Sequence, residues 1–358
     1  MRIAVIGTRG ANPAHDGIQR ALEEVCSRLA RRGHVIDIFS VRNGRAIGNI
    51  DGARVIRLPT VPIGTGVSLP HTLLSSLVGS IRGYDIINFW AAESSGLFTL
   101  AAKLGLHRTV VSVHGLDGAP VRGLSLLSPD AVAARFADAI TVVSRRLERH
   151  FRDTYGRETF YIPNGFSPPA RPDADRLAQL GLLPGEYVLV ADRLVPGSGV
   201  HDAIAAATAS DGPLPLVIAE TGDGDAEYRE KVRNLAVPDR IVFLGQVSSE
   251  HLDALMTHAY LCLLPSVVDE PPAMLPRALA HGRAVLVSDQ PEHLDMVGLD
   301  AFTFTSGDVG DLKRVLVWLL NDPQVVAQME RRAAAAATSR YCWDRIAEAY
   351  ELVFTSVL

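Results

Sequence analysis

The stretch PSVVDEPPAMLPRALAHG, residues 265–282, lies between two short apolar runs, AYLCLLP (259–265) and AVLVSD (284–289). Apolar runs of this length, bounded by Pro and Gly and separated by a helical pattern, read as strand, loop, helix and strand. Two strands joined by a helix lie parallel, so this segment is one βαβ unit. The same rhythm extends outward in both directions. YVLVADR, LPLVIAE, IVFLGQ and AFTF fill the second half, with helical patterns between them. The first half reads IAVIG, then the amphipathic IQRALEEVCSRLARRG, then VIDIFS, ARVIRLP, DIINFW, TVVSVHG, AITVVS and TFYIPNG.

The pattern halts at SPPARPDADRLAQLGLLPGE (167–186), rich in Pro, Asp and Gly, and then restarts. A chain of 358 residues exceeds one ordinary core, so two doubly wound α/β domains are expected, 1–168 and 169–338. The tail 339–358 contains YCWDRIAEAYELVF, with apolar residues at helical spacing. That spacing suits a helix crossing back to the first domain and equally one packed within the second.

Composition narrows the function. A net charge of −5 argues against a nucleic-acid partner, which would require a dominant basic face. Cys26, Cys262 and Cys342 lie far apart with no CxxC spacing, as buried thiols of a reducing compartment do. MRIAVIGTRG reads as a first strand rather than a signal peptide, and no run reaches a membrane span, so the expected location is cytoplasmic. The basic segment VSRRLERHFRDTYGR (143–157) reads as a solvated helix face, with peripheral contact to an anionic membrane surface as the alternative.

Ligands of doubly wound sheets bind at strand carboxyl ends, so the loops there are the candidate sites. GTRGANPAHDGIQR (7–20) can bring backbone close to a phosphate or sugar, although it lacks GxGxxG and is also compatible with a plain turn. His114 in SVHGLDG ends a buried strand; a substrate contact and a satisfied structural histidine are both open. Arg193 in ADRLVPGSGVHDAIAA is either a surface arginine or a two-pronged phosphate ligand. In the first-quoted segment, Asp269 and Glu270 precede a helix whose first free amides fall near Ala273, Met274 and Leu275, an anion-favouring arrangement. Arg277 follows one turn later.

Taken in order, these loops resemble the retaining GT-B glycosyltransferases of family 4 over nearly the whole chain. The resemblance rests on GTRG…DG with GIQR, RRGHVIDIFS, SVHGLDG, FADAITVVS, YIPNG, RLVPGSGVHD, the GDG of ETGDGDAEY, IVFLGQVSSEHLDALMTHAYLCLLPS, HGRAVLVSD and YCWDRIAEAY. It implies a GT-B fold: two Rossmann-like domains facing across a cleft, with acceptor on the first and donor on the second. It implies transfer of a sugar from a nucleoside diphosphate sugar to a small-molecule, lipid-linked or saccharide acceptor, with retention. By this resemblance His114 contacts the transferred sugar, Arg193 the diphosphate, Gly17 lies near the phosphates and Asp269 stands at the sugar. The base is expected near Gly245, Gln246 and Val247. Acceptor contacts are expected from Asp16, Gln19 and Asp117 and from the loops 60–80 and 115–130. No DxD-like motif is present, and no metal or other cofactor is implied.

Three departures stand out. Ser198 occupies the lysine of RLxPxKG, Asp269 and Arg277 occupy the two glutamates of E-x7-E, and Asp16 replaces the first glycine of the GG pair. Arg277 has no acceptor with which to hold ribose hydroxyls. Charge-assisted hydrogen bonds contribute ~1.5–3 kcal/mol each, so losing two costs on the order of 3–6 kcal/mol of donor binding. Two expectations follow: an active transferase in which Arg277 supplies the missing cation, or a weak or inactive homologue that partners another transferase. An oxidoreductase is disfavoured by the missing GxGxxG, and the epimerases of GT-B architecture match the ordered motifs less well.

Overall fold

The computed structural model describes residues 1–7, 16–41, 50–59, 74–76, 78–79, 81–90, 99–104, 107–115, 128–166, 174–268 and 274–358. The chain forms two compact units, Met1–Gly165 with Trp343–Leu358, and Phe166–Cys342.

The first unit is built on a sheet of seven strands: β1 (Arg2–Ile6), β2 (Val35–Val41), β3 (Arg54–Leu58), β4 (Ile86–Trp90), β5 (Arg108–Val113), β6 (Ala139–Val142) and β7 (Phe160–Tyr161). Their order is β3-β2-β1-β4-β5-β6-β7, and every pair is parallel. The second unit has β8 (Val188–Asp192), β9 (Leu216–Glu220), β10 (Ile241–Gln246), β11 (Leu261–Leu264), β12 (Val285–Ser288) and β13 (Phe302–Phe304). These are ordered β10-β9-β8-β11-β12-β13, again all parallel.

Sequence accounts for this directly. Strands covered on both faces must be apolar throughout rather than alternating. IINFW in β4 and VLVS in β12 are buried at every position. Each sheet separates two apolar layers: Ile3, Val5, Leu22 and Val25 on one face of the first unit, and Ala4, Ile6, Phe89 and Phe151 on the other. Cys26 and Cys262 are buried, and desolvation pushes both thiols up to about 12, far from thiolate reactivity at neutral pH.

The last helix, Trp343–Ser356, belongs to the first unit. Its Ile346, Tyr350, Val353 and Phe354 join the layer that contains Leu22 and Val25 of the helix Asp16–Arg31. Ion pairs tie the two at the surface: Arg28 to Asp344 at 2.9 Å, Arg32 to Glu351 at 2.8 Å and His34 to Glu351 at 2.7 Å. Gly165 has no room for a side chain, because a Cβ there would lie 2.5 Å from the Trp343 ring.

The basic segment forms the helix Arg145–Tyr155, capped by Ser144, with Leu147 and Phe151 buried. Arg145 pairs with Glu148 at 2.7 Å and sits over the Tyr161 ring at 4.2 Å. Among the described residues no helix is long and apolar enough to cross a membrane.

Each strand order reverses once, between β1 and β4 in the first unit and between β8 and β11 in the second. A crevice opens beside such a reversal at the strand carboxyl ends, which places the candidate sites.

Candidate functional site

In the second unit, the loops after β8 and β11 flank the reversal. Arg193 follows the last residue of β8, and its backbone N–H donates to Asp192 Oδ1 at 2.7 Å. The side chain is exposed, and among the described residues its guanidinium makes no hydrogen bond or ion pair. Its stem lies beside Gly222, where a Cβ would stand 3.7 Å from Arg193 Cγ and Cδ. A guanidinium placed this way presents its full set of donors to a ligand.

The next turn, Pro196–Ser198, buries Ser198, whose hydroxyl donates to the Val195 carbonyl at 2.8 Å. Gly199 then adopts φ +67, and a Cβ would come within 1.9 Å of the Pro265 carbonyl oxygen. Only glycine allows the loops after β8 and β11 to press together this closely. The contact is stitched by Val267 N–H and Ser266 Oγ donating to Gly197 O, at 3.0 and 3.2 Å. Ser288 Oγ donates to Ser266 O at 2.6 Å, and Gln290 Nε2 donates to Val267 O at 3.0 Å. Arg193 therefore projects from a braced floor rather than a loose turn.

Arg277 lies on the helix Met274–Ala280 and turns toward the helix Ser249–His258. Its Nε donates to Asp253 Oδ1 at 2.8 Å, and its Nη2 donates to Asp253 Oδ1, to Ser249 O at 2.8 Å and to Ser249 Oγ at 2.9 Å. His281 adds a contact to Asp253 Oδ1 from Nε2 at 3.1 Å, while its Nδ1 meets Thr257 Oγ1 at 2.7 Å. Burial holds His281 below the usual histidine range, partly offset by Asp253. A neutral ring donating from Nε2 and accepting at Nδ1 satisfies both partners. Ser249, Asp253 and Thr257 thus line one helix face at four-residue steps, and Arg277 and His281 line the other. The guanidinium expected to replace the missing lysine is already paired with the protein.

Of the other residues expected on the donor side, the described ones lie at or just beyond strand ends of the same sheet. Gly245 has φ +70 at a register shift between β10 and β9. Gln246 Nε2 donates to Gly222 O at 3.1 Å, and Val247 N–H reaches Glu220 O at 3.4 Å. Met274 and Leu275 open their helix, with Leu275 buried. Asp269, Glu270 and Ala273 lie outside the described residues, as does Asp117. Among the described residues no group of three or more His, Cys, Asp or Glu is placed to hold a metal.

In the first unit, Asp16 and Gly17 begin the helix Asp16–Arg31, and Gln19 donates to Glu23 at 2.9 Å. His114 follows β5. Both of its ring nitrogens are buried, and neither has a hydrogen-bond partner among the described residues. Burial alone pushes its pKa down to about 4, so the ring is neutral at pH 7. It lies 4.8 Å from the ring of Trp90, the last residue of β4, with the planes at 41°. A buried imidazole without partners is costly; a ligand hydroxyl could satisfy one ring nitrogen, and the other needs a second partner.

The sequence reading passed over Asp253 and His281, whose signal was the four-residue spacing that mates them with Arg277. It also passed over Glu292 and His293. These two open the helix Pro291–Val297 and are fully buried, with His293 Nδ1 2.9 Å from Ser288 Oγ. A Glu-His pair just after a Pro at a strand end was the available clue.

The fold is similar to that of a sucrose-phosphate synthase from Thermosynechococcus elongatus, with a TM-score of 0.76 at 21 % identity over 100 % of this chain and 99 % of that one. It is also similar to Anabaena HepE solved in complex with UDP, with a TM-score of 0.77 at 20 % identity over 99 % of this chain and 100 % of that one. Both likenesses establish the fold, two all-parallel α/β sheets of the GT-B class. A glycogen synthase from Mycobacterium tuberculosis is 27 % identical over 228 residues, 62 % of this chain and 54 % of the relative. The chain thus spans about half the length of the curated relatives it matches. The Glycosyltransferase Family 4 profile matches residues 15–168, and the Glycosyl transferases group 1 profile matches residues 178–338. With both profiles matched in order, the chain belongs to the group 1 glycosyltransferases, with an N-terminal family 4 domain.

Proposed function

We propose that this protein transfers a sugar from a nucleoside diphosphate sugar to an acceptor hydroxyl with retention at the anomeric carbon. The observation that carries the reading is Arg193: a guanidinium with no hydrogen bond or ion pair among the described residues, on a braced loop beside the strand-order reversal of the group 1 domain. HepE has been solved with UDP-glucose, which supports a nucleotide sugar as the donor class.

In this reading Arg193 binds the diphosphate through two N–H groups and stabilises the charge that develops on it as the glycosidic bond breaks. The front-face displacement asks for position rather than covalent catalysis. His114, being neutral, holds a sugar hydroxyl at one ring nitrogen, either donating to it or accepting from it. Asp269 completes the sugar contacts, and the amides near Met274 and Leu275 assist the diphosphate. Gly17 approaches the phosphates, and Gly245, Gln246, Val247 and Glu270 border the nucleoside. Asp16, Gln19 and Asp117 face the acceptor, a small molecule, lipid-linked group or saccharide. The reaction needs no metal, and the protein works in the cytoplasm, with any membrane contact peripheral.

A second reading, an inactive homologue that partners another transferase, is favoured by one pair of observations. Ser198 turns its hydroxyl inward, and Arg277 is consumed by Asp253 and Ser249, so neither presents a group to a donor. Calorimetry with UDP, GDP and dTDP separates the readings. A transferase binds at least one of them and loses that binding in Arg193→Ala. No heat from any of the three at millimolar concentration would remove the donor site and favour the partner role.

A further inference from the structure

His114 is one end of a column of rings. Trp90 lies against it at 4.8 Å, and Tyr350, from the last helix, lies against the other side of Trp90 at 5.4 Å with the planes at 31°. Trp90 and Tyr350 are fully buried. Trp90 is fixed at its edge, where Nε1 donates to the Ile18 carbonyl at 3.3 Å. Tyr350 is fixed at its hydroxyl, which hydrogen-bonds Thr141 and Ser112. Those two belong to a polar row across the sheet, with Thr141 Oγ1 donating to Ser112 Oγ and Ser112 Oγ donating to Asn88 Oδ1, each at 3.0 Å.

We propose that Tyr350 is a positioning residue for His114, acting through the Trp90 ring between them. This rests on the reading of His114 as a ligand contact only for its kinetic arm. Filling the core alone asks only for a ring, as in phenylalanine, whereas three strands contribute polar side chains to the buried row that engages the Tyr350 hydroxyl and fixes its ring against Trp90. Nothing else among the described residues holds the imidazole by a hydrogen bond, so ring packing is what fixes its orientation. The last helix thereby sets the geometry of a residue more than two hundred positions earlier in the chain.

Among the described residues, the groups facing the column are neutral. Ser112, Asn88 and Thr141 come from the sheet, Cys26 and the Ile18 carbonyl from the helix Asp16–Arg31, and Tyr350 from the last helix. Burial alone accounts for the low pKa of His114, about 4. Loosening the column admits water and returns the imidazole toward its ordinary 6.5.

The test is an NMR titration of histidine-labelled protein, with the His114 signal assigned by loss in His114→Ala. Tyr350→Leu removes the ring, and Tyr350→Phe keeps the ring while losing the hydroxyl. The expected result is a rise of more than one pH unit in the His114 midpoint for Tyr350→Leu and a smaller rise for Tyr350→Phe, with the other ten histidines unmoved. An unchanged midpoint in folded Tyr350→Leu overturns the proposal. Should Tyr350→Leu fail to fold, Trp90→Phe shortens the spacer instead, and an unchanged His114 midpoint there overturns it equally. With a turned-over nucleotide sugar, kcat of Tyr350→Leu is expected to fall roughly tenfold or more while nucleoside diphosphate affinity holds. The titration needs no substrate, so failure to find any nucleotide binding would sink the transferase reading and leave this result standing.

Discussion

His114 and Arg277 are opposites. One is neutral, buried and without a hydrogen-bond partner among the described residues, although its chemistry offers a donor and an acceptor. The other is charged, half-buried and engaged, with its Nε and Nη2 donors on Asp253 and Ser249. From sequence alone Arg277 is the conspicuous residue, because it breaks a family pattern, while His114 is one of eleven histidines. Satisfaction reverses the ranking. An unsatisfied buried polar group in a native fold calls for an explanation, of which a ligand is one, whereas a charge with several partners is already part of the scaffold. Arg193 differs from both: it is an exposed cation whose guanidinium makes no hydrogen bond or ion pair among the described residues, which leaves its donors open to a ligand.

The sharpest way to break that contrast is to remove each arginine in turn. Arg193→Ala deletes charge-assisted hydrogen bonds to the diphosphate, each contributing ~1.5–3 kcal/mol, so nucleotide affinity should fall about ten- to hundredfold. Arg277→Ala should leave that affinity within about threefold, because its donors serve Asp253 and Ser249. Calorimetry on the two variants decides it. Equal losses would mean that Arg277 leaves Asp253 to reach the donor, as the sequence alone suggested.

Arg277→Ala should instead register in stability. Among the described residues it leaves Asp253 with only His281, at a site where the arginine and carboxylate side chains are 17 % and 19 % exposed. An uncompensated, partly buried carboxylate costs about 1–3 kcal/mol. The urea midpoint should fall accordingly, and the double variant with Asp253→Asn should recover part of the loss. A double variant no more stable than Arg277→Ala would show that the pair contributes nothing to folding.

The contrast also predicts a pH dependence. His114 has a folded pKa of about 4 against 6.5 when exposed, so between those values the unfolded chain binds more protons than the folded one. Stability therefore declines as pH falls from about 6.5 to about 4. His281 acts in the same direction, since burial lowers it too, while its partner Asp253 moderates the effect. In His114→Phe the first contribution is absent. The drop in urea midpoint between pH 7 and pH 5 should be smaller in that variant than in the parent, and an identical drop would mean that the imidazole is not buried in solution.

How much of this could be read from sequence depends on what each feature requires. The α/β fold was legible because strands covered on both faces must be apolar, and IAVIG, DIINFW, YVLVADR and AVLVSD supply β1, β4, β8 and β12. The packing of the last helix was not, because the apolar stripe Ile346, Tyr350, Val353 specifies that a face is covered without specifying by what. Arg193 was legible as a cation at a strand end. The engagement of Arg277 was not, because it depends on a helix 24 residues earlier being mated to its own. The family pattern pointed at position 277, and only the pairing with Asp253 explains how an arginine is tolerated there.

Ser198 carries the smallest expected effect. The lysine it replaces would have been a donor-facing cation, which invites reading the serine as a weaker version of the same contact. Its hydroxyl is buried and donates to Val195 within the turn that lets Gly199 press against Pro265. Ser198→Ala should therefore cost about 0.5–1.5 kcal/mol of stability, the net contribution of one neutral hydrogen bond, with nucleotide affinity unchanged. An affinity loss without a stability loss would place the hydroxyl on the ligand. Ser198→Lys should not restore a family-like site either: the position is enclosed, so the ammonium would either open the turn or reach out along a path the serine does not use, and the urea midpoint would report the disruption.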